Sequence, residues 1–313
     1  MNPALALTLA MLIWGAGPPV FKLALTNIPL FTLAFLRFFL GGFIFLPLAH
    51  RTAIRRLTSH DWFAILAVAL SSITVNIGFY FLGLKYADSI NASIIAASAP
   101  IFIFLVSVFW FGQRAKLRMS LGMMIAFIGV LVLVLSPLLK GQSLASGEWK
   151  GNIFYIIAML STVVAPFIEK SALKRINIYV ILSISFFIGA LTFLPFMMYE
   201  LTKWNFTLLN WRGAVGIVYG AVFCSALAYW LYFYGLKRLA TTEVGIFTYL
   251  DPFVTVAVAA PLLHELPGVF YFVSLVLVIV GISIAEGRLH YHGHWQRRRV
   301  LPVDETTPFI KET

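Results

Sequence analysis

The stretch that decides the fold is Tyr232–Pro252, which reads YFYGLKRLATTEVGIFTYLDP. An earlier stretch, Tyr80–Pro100, reads YFLGLKYADSINASIIAASAP. Both begin with Tyr-Phe-x-Gly-Leu-Lys and end with Pro, and the pair Gly129 and Gly281 keeps the same separation along the chain. A match sustained over this length indicates that the chain contains two copies of one unit.

The composition indicates that most of the chain is solvated by lipid. Of the 313 residues, 61% are hydrophobic and 11% are charged, whereas soluble domains carry about 25% charged residues. The net charge of +11 comes from short basic clusters between apolar runs. That pattern is typical of membrane topology and not of a nucleic-acid-binding face. The single cysteine, Cys224, excludes an intrachain disulfide framework.

Apolar runs long enough to cross a hydrocarbon layer of about 30 Å as helices recur along the whole chain. They are predicted at approximately 3–23, 28–48, 62–84, 89–111, 117–138, 151–170, 178–198, 211–235, 242–264 and 268–286. The connections between them are short. We therefore predict an all-α integral membrane protein with ten transmembrane helices and no separate soluble domain.

The repeat also covers the front of each half. Residues between Ala10 and Leu25 recur in register between Ala158 and Leu173, so the first five predicted spans repeat as the last five. Because five is odd, the second copy enters the membrane from the opposite side. We predict two inverted five-helix repeats, at 3–139 and 151–286, followed by a cytoplasmic tail at 287–313. Inverted repeats are the architecture of alternating-access transporters.

Lys and Arg residues give the predicted orientation. Most of them fall in the tail and in the loops that follow the second, fourth, sixth and eighth spans. The positive-inside rule then places both termini in the cytoplasm, with the bacterial inner membrane as the expected location. The repeat counterparts Lys85 and Lys237 should consequently lie on opposite sides, with Lys85 outside and Lys237 inside.

Five stretches carry a family resemblance. They are LIWGAGPPVFK at Leu12–Lys22, LRF at Leu36–Phe38, and the segments Gly83–Phe102, Gly235–Phe253 and Leu262–Glu265. On these residues the chain resembles the EamA branch of the drug/metabolite transporter superfamily. The resemblance implies export of amino acids or other small metabolites through a cavity lined by the first, third, fourth, sixth, eighth and ninth helices. It also implies that the second helix lies away from the cavity centre.

Helix breaks are predicted in symmetry-related pairs, at Gly17 and Pro18 with Pro166, and at Pro100 with Pro252. A proline releases the carbonyl four residues earlier, and in a membrane that carbonyl needs a partner or a water-lined cavity. Paired breaks therefore indicate a binding site near the membrane midplane. Packing kinks are the alternative interpretation.

Two charged residues lie within predicted spans. A carboxylate such as Asp251 costs about 2.5–3.5 kcal/mol at a helix centre, and its repeat counterpart is Ala99, so the fold does not need an acid there. Asp251 is predicted either to bind a substrate ammonium group or to carry a coupling proton, and the alternatives are structural pairing with Arg37 or a protonated, inert carboxyl group. Arg37 is predicted either to hold released carbonyl groups or to bind a substrate carboxylate.

Aromatic rings with polar tips suit a cavity that surrounds a partly apolar solute, although packing explains each ring singly. The predicted substrate-binding residues are Trp14, Asn76, Tyr80, Ser98, Tyr229, Tyr232, Thr248, Tyr249 and Asp251. Three other polar residues are expected to have structural roles. Glu169, beside Lys170, is predicted at the cytoplasmic interface, Asn91 as a helix cap, and Glu265 at the start of the tenth helix.

The predicted function is export of small metabolites, and of amino acids in particular, by a secondary transporter that is either proton-coupled or facilitative. The sequence contains no P-loop pattern for nucleotide binding, so transport driven directly by ATP is not expected of this chain. The alternative, a membrane enzyme acting on a lipid-linked substrate, would need a cluster of acids or histidines, and the acids are scattered. The expected partners are a small molecule, membrane lipid and, for coupling, protons. No cofactor, nucleic acid or metal is expected, including at His290, His292 and His294.

Overall fold

The computed structural model describes residues 1–49, 54–99, 101–102, 117–141, 147–163, 165–239, 244–245 and 247–286. Ten principal helical segments occur in these ranges, and no strand does. They are α1 Pro3–Ala24, α2 Leu30–Phe45, α3 Ser59–Tyr86, α4 Ser89–Ala97, α5 Leu117–Leu139, α6 Glu148–Ala172, α7 Ile178–Glu200, α8 Trp211–Leu236, α9 Thr248–Leu263 and α10 Val269–Glu286.

Seven of these segments, namely α1, α2, α3, α5, α6, α7 and α8, are long and apolar enough to cross a membrane, and α9 and α10 are shorter apolar helices. The chain is thus a polytopic membrane protein of about ten helices. The second part of the predicted fourth span, including Pro100, and the tail at 287–313 lie outside the described residues.

The predicted break in α1 is absent, since the helix runs continuously through Gly17, Pro18 and Pro19. The carbonyl that Pro19 releases belongs to Gly15, and it accepts a hydrogen bond from the Thr255 hydroxyl of α9 at 2.7 Å. A neighbouring helix therefore supplies the missing donor, which is how proline is accommodated within membrane helices.

Interruptions do occur in α6 and α9. The first helical part of α6 ends at Ser161 and the second begins at Ala165, immediately before Pro166. In α9 a 3₁₀ turn at Thr248–Leu250 changes to α-helix at Asp251–Leu263, so the change lies next to Pro252.

Two helices contain π-helical segments that the sequence pattern did not reveal. They span Ala69–Val75 in α3 and Tyr219–Ala228 in α8, at corresponding places in the two copies of the repeat. A π segment widens the helix and re-aims the side chains around it, and such segments occur frequently at functional sites. Ser72 and Ser225 lie on these segments and contact charged residues of the cavity described below.

The helices that correspond to one another in the two halves pack in pairs, α2 with α7 and α5 with α10. In the second pair the backbones touch, because a Cβ added to Gly122 would lie 2.4 Å from the Gly281 carbonyl oxygen. In the first pair, the Ser183 hydroxyl donates to the Gly42 carbonyl at 3.1 Å. These two pairs contribute a large part of the contact between the halves.

The helices α1 and α6, which begin the two halves of the chain, run in opposite directions. Lys22, near the end of α1, donates to the Ala87 carbonyl at 2.9 Å, and Gly151, near the start of α6, abuts Ala87. Hence α6 begins where α1 finishes. Lys170, near the end of α6, donates to the Leu239 carbonyl beyond α8. We call the two ends of the bundle the Lys22 end and the Lys170 end.

Candidate functional site

A cavity of about 310 Å³ lies among the helices of both halves. Its wall comes from α1, α3, α4, α6, α8 and α9, together with one side chain of α2, and is mostly apolar. Ligand pockets of proteins typically measure about 300–1,000 Å³ and combine an apolar wall with a few polar groups. The cavity therefore has the size and character of a small-molecule site.

Most of the predicted substrate-binding residues lie on this wall. The ones that line the cavity are Trp14, Asn76, Tyr80, Tyr229, Tyr232, Thr248 and Asp251. Pro18 and Pro166 line it as well. The cavity thus brings together side chains from distant parts of the sequence.

Ser98 and Tyr249 do not line the cavity, contrary to the prediction. Ser98 is fully buried, and its hydroxyl donates to the Ile95 carbonyl at 2.6 Å. This local bond is a common alternative for a helical serine. Tyr249 packs against the hydrophobic core instead. Neither Gly17 nor Pro252 reaches the cavity wall.

Three aromatic rings form one corner of the cavity. The Trp14 ring lies 5.1 Å from Tyr229 in an edge-on arrangement and 5.2 Å from Tyr232. The Trp14 indole donates to the Cys224 carbonyl at 3.1 Å, and the Tyr229 hydroxyl donates to the Ser72 carbonyl at 3.2 Å. Both carbonyls belong to π segments, so these segments hold the rings in place.

Arg37 reaches the cavity wall from α2, a helix that the family resemblance placed away from the centre. Its side chain is buried, Nε donates to the Ser225 hydroxyl at 2.9 Å, and the guanidinium carbon lies 4.8 Å from the Phe21 and Phe38 ring centroids. Within the described ranges no carboxylate lies within 4.0 Å of it. The alternative of an Arg37–Asp251 ion pair is therefore wrong. Stacked, buried guanidinium groups suit recognition of carboxylates.

Asp251 begins the α-helical part of α9 instead of lying at mid-helix as predicted. The partial positive charge of a helix N-terminus favours a carboxylate at this position. Its Oδ1 is buried and has no hydrogen-bond partner among the described residues. A buried acceptor left unpaired is costly and requires an explanation, such as a bound proton, water or ligand.

Glu169, which was predicted at the cytoplasmic interface, lines the cavity and is 2% exposed. Its carboxylate accepts hydrogen bonds from the Ser72 hydroxyl at 3.0 Å and from the Tyr232 hydroxyl at 3.3 Å. One signal could have identified it. Glu169 lies three residues after Pro166, and residues with this spacing share a helix face.

Other polar residues outside the cavity have structural roles. Glu265 was expected at the start of α10, but it accepts hydrogen bonds at the start of α4, from the backbone and hydroxyl of Ser89 at 2.8 and 2.7 Å. It also pairs with Lys22 at 2.6 Å. The reason is that the end of α9 packs against the start of α4, where a helix N-terminus attracts a carboxylate. Asn91 is buried and donates to Asn152 at 3.1 Å.

The described part of the chain contains no group of three His, Cys, Asp or Glu residues arranged to hold a metal ion. The histidine tract at His290, His292 and His294 lies outside that part.

Comparison with known proteins relates both halves of the chain to one family. The model of the EamA-like transporter family matches residues 1–135 and 149–286. An uncharacterized transporter of Archaeoglobus fulgidus is 26% identical over 287 residues, which cover 91% of this chain and 98% of that protein. A probable amino-acid metabolite efflux pump of Escherichia coli K12 is 24% identical over 286 residues, covering 88% and 92%.

A solved crystal structure shares the fold, with a TM-score of 0.65 at 19% identity over 90% of this chain and 96% of that one. The family match spans nearly all of the helical part of the chain. The two relatives, named as a transporter and a probable efflux pump, align with this chain over 98% and 92% of their own length. The chain therefore belongs to the EamA-like transporter family and is a multi-pass membrane transporter.

Proposed function

We propose that this protein exports small metabolites, and amino acids in particular, from the cytoplasm by alternating access, with no direct use of ATP. The observation that carries the proposal is the cavity, which lies among helices of both halves and places Arg37, Asp251 and Glu169 on one otherwise largely apolar wall. An amino acid presents a carboxylate, an ammonium group and a side chain. The charged residues of the wall can bind the carboxylate and the ammonium group, and its apolar surface can contact the side chain.

The antiparallel course of α1 and α6 supports the alternating-access part of the proposal. If the halves are inverted copies, exchanging their conformations moves the opening of the cavity from one membrane face to the other. The proposed orientation has both termini in the cytoplasm of a bacterial cell, so that the Lys22 end faces outward. The relative named as an amino-acid metabolite efflux pump supports the substrate class.

The test is uptake of a panel of labelled amino acids into proteoliposomes, with and without a pH gradient, by the wild type and by Asp251→Asn. We expect accumulation of at least one amino acid above empty liposomes. If Asp251 carries the coupling proton, the gradient will stimulate wild-type uptake and the substitution will abolish that stimulation. Glu148→Gln, which changes an acid outside this cavity, is the control.

Each outcome decides one part of the proposal. Uptake that is indifferent to the gradient in both proteins makes transport facilitative and removes the coupling role of Asp251. Movement of another metabolite without any amino acid overturns the substrate class but retains the transporter. Absence of any transported solute, with correctly folded protein in the liposomes, overturns the proposed export.

A further inference from the structure

Glu169 is the most unusual polar group of the cavity. It lies on the second part of α6, Ala165–Ala172, and its side chain is almost completely removed from solvent while still lining the cavity. Charged groups buried in a membrane protein are costly and are usually functional. The repeat counterpart of Glu169 is Phe21, so the fold itself does not require an acid at this position.

The Glu169 carboxylate has hydrogen-bond donors but no cation. Ser72 and Tyr232 each donate one hydroxyl to it, at 3.0 and 3.3 Å. No Lys, Arg or His within the described ranges lies within 4.0 Å of it. The adjacent Lys170 donates to the Leu239 carbonyl. The two hydroxyls orient the carboxylate, and its charge remains available to a ligand.

Aromatic rings complete the surroundings of this carboxylate. Tyr232 contacts both the carboxylate and the Trp14 ring, and Tyr229 packs against Trp14 in an edge-on arrangement. All three rings line the cavity. The faces of Trp and Tyr rings attract cations, and a cation enclosed by such rings is a known mode of ammonium recognition. A carboxylate next to aromatic faces is suited to an organic ammonium ion.

We infer that Glu169, Tyr232 and Trp14 form a subsite for the ammonium group of the transported solute. The solute is therefore an organic ammonium compound, and any carboxylate that it carries is left to Arg37. Asp251 is then free for the coupling proton. This inference rests on the proposed function, because it assigns one part of the same cavity.

The π segment of α3 helps to position the residues of this subsite. Ser72 lies on that segment and makes two contacts, donating from its hydroxyl to Glu169 and accepting at its carbonyl from Tyr229. One residue thereby positions both the acid and a ring of the subsite. Ser72 is a positioning residue, since its hydroxyl is already directed to Glu169.

The experiment measures binding and not transport, so its failure can be separated from failure of the proposed function. The thermal unfolding midpoint of the purified full chain in detergent is followed against butylammonium chloride, with sodium chloride and 1-butanol as controls. We expect butylammonium to raise the wild-type midpoint in a saturable way and the two controls to have no such effect.

Glu169→Gln keeps the shape and the hydrogen-bonding capacity of the side chain and removes its charge. We expect it to raise the half-saturating butylammonium concentration at least tenfold. Ser72→Ala should raise it several-fold, and Glu148→Gln, at the other end of α6, should leave it unchanged. If Glu169→Gln does not fold, Glu169→Asp, which keeps the charge but shortens the reach, is expected to weaken binding by an intermediate amount.

Three results overturn the inference. The first is a wild-type midpoint that butylammonium raises no more than sodium chloride does. The second is unchanged binding in Glu169→Gln. The third is loss of binding in Asp251→Asn while Glu169→Gln still binds, which assigns the ammonium group to Asp251. Saturable binding without transport in liposomes would retain the subsite and reject export.

Discussion

The two ends of the bundle make the same backbone contact and differ in charge. At one end Lys22 donates to the Ala87 carbonyl, and at the other Lys170 donates to the Leu239 carbonyl. These are repeat counterparts, because each carbonyl follows a recurring Gly-Leu-Lys. Within the described part of the chain, only the lysine at the Lys22 end forms ion pairs, with Glu265 at 2.6 Å and Asp88 at 3.3 Å.

The difference indicates that the two ends of the bundle are held with unequal strength. By repeat position the counterparts of Asp88 and Glu265 are Ala240 and Gln113, which lie outside the described residues and carry no charge. Both lysines donate a hydrogen bond to a carbonyl, so the two ends differ by the ion pairs of Lys22, which are partly exposed and contribute about 1–3 kcal/mol. We therefore expect the Lys22 end to open less readily than the Lys170 end.

One cysteine reporter can measure opening of the cavity in the three tests that follow. Ala96 is an exposed residue of α4 that lines the cavity. Because Cys224 is the chain's single cysteine, Ala96→Cys in a Cys224→Ala background carries one thiol, facing the cavity. Its reaction rate with a membrane-impermeant maleimide, applied from one side of the membrane, measures how often that side opens.

The largest effect is expected for Lys22→Met, which leaves two carboxylates without their cation. Lys22 and Asp88 are partly exposed, which lowers the expected cost of the change to about 1–3 kcal/mol. Labelling of the reporter from outside should rise about 5- to 150-fold. An unchanged rate in a well-folded variant would show that the ion pairs do not hold this end closed.

A smaller effect is expected for Glu265→Gln, because the amide keeps an acceptor for Ser89 and loses only the charge. Outside labelling should rise several-fold, for a change of about 1 kcal/mol. The matched control is Glu200→Gln. Glu200 accepts from the backbone of Phe31 and Thr32 at the start of α2, but no lysine of the described part pairs with it. Equal increases in labelling for the two variants would show that the effect of Glu265→Gln comes from weaker capping of α4 and not from loss of the ion pair with Lys22.

The smallest effect is expected for Lys170→Met, which removes a hydrogen bond to a carbonyl and no ion pair. Labelling in inside-out vesicles should rise only about twofold, for about 0.5 kcal/mol, and outside labelling should not rise. An increase in outside labelling as large as that of Lys22→Met would contradict the comparison of the two ends.

Much of the fold follows from sequence because lipid imposes a simple rule: a membrane span must be an apolar helix. That rule predicts an all-helical, polytopic membrane protein, which the structure shows. Local geometry does not follow from it. Pro18 and Pro19 do not break α1, and Thr255 on a distant helix bonds the Gly15 carbonyl that Pro19 releases. The π segments are also missed, since no residue pattern marks them.

The candidate site was predictable where one residue type was unusual for its position, as at Asp251. The hydrogen-bond partners of a site residue were not predictable where they are distant in sequence. Glu169 beside Lys170 has the pattern of an interfacial pair, and only the fold brings Ser72 and Tyr232 to it. Ser98 failed for a local reason, since its hydroxyl bonds its own helix.

The central claim is that the two halves are inverted copies that enclose one cavity. Lys85 and Lys237 test it most directly, because they are repeat counterparts and both are exposed. In a Cys224→Ala background, an impermeant maleimide applied to intact cells should label Lys85→Cys, and it should label Lys237→Cys only after the membrane is permeabilised. Labelling of both positions from the same side in intact cells would contradict the account.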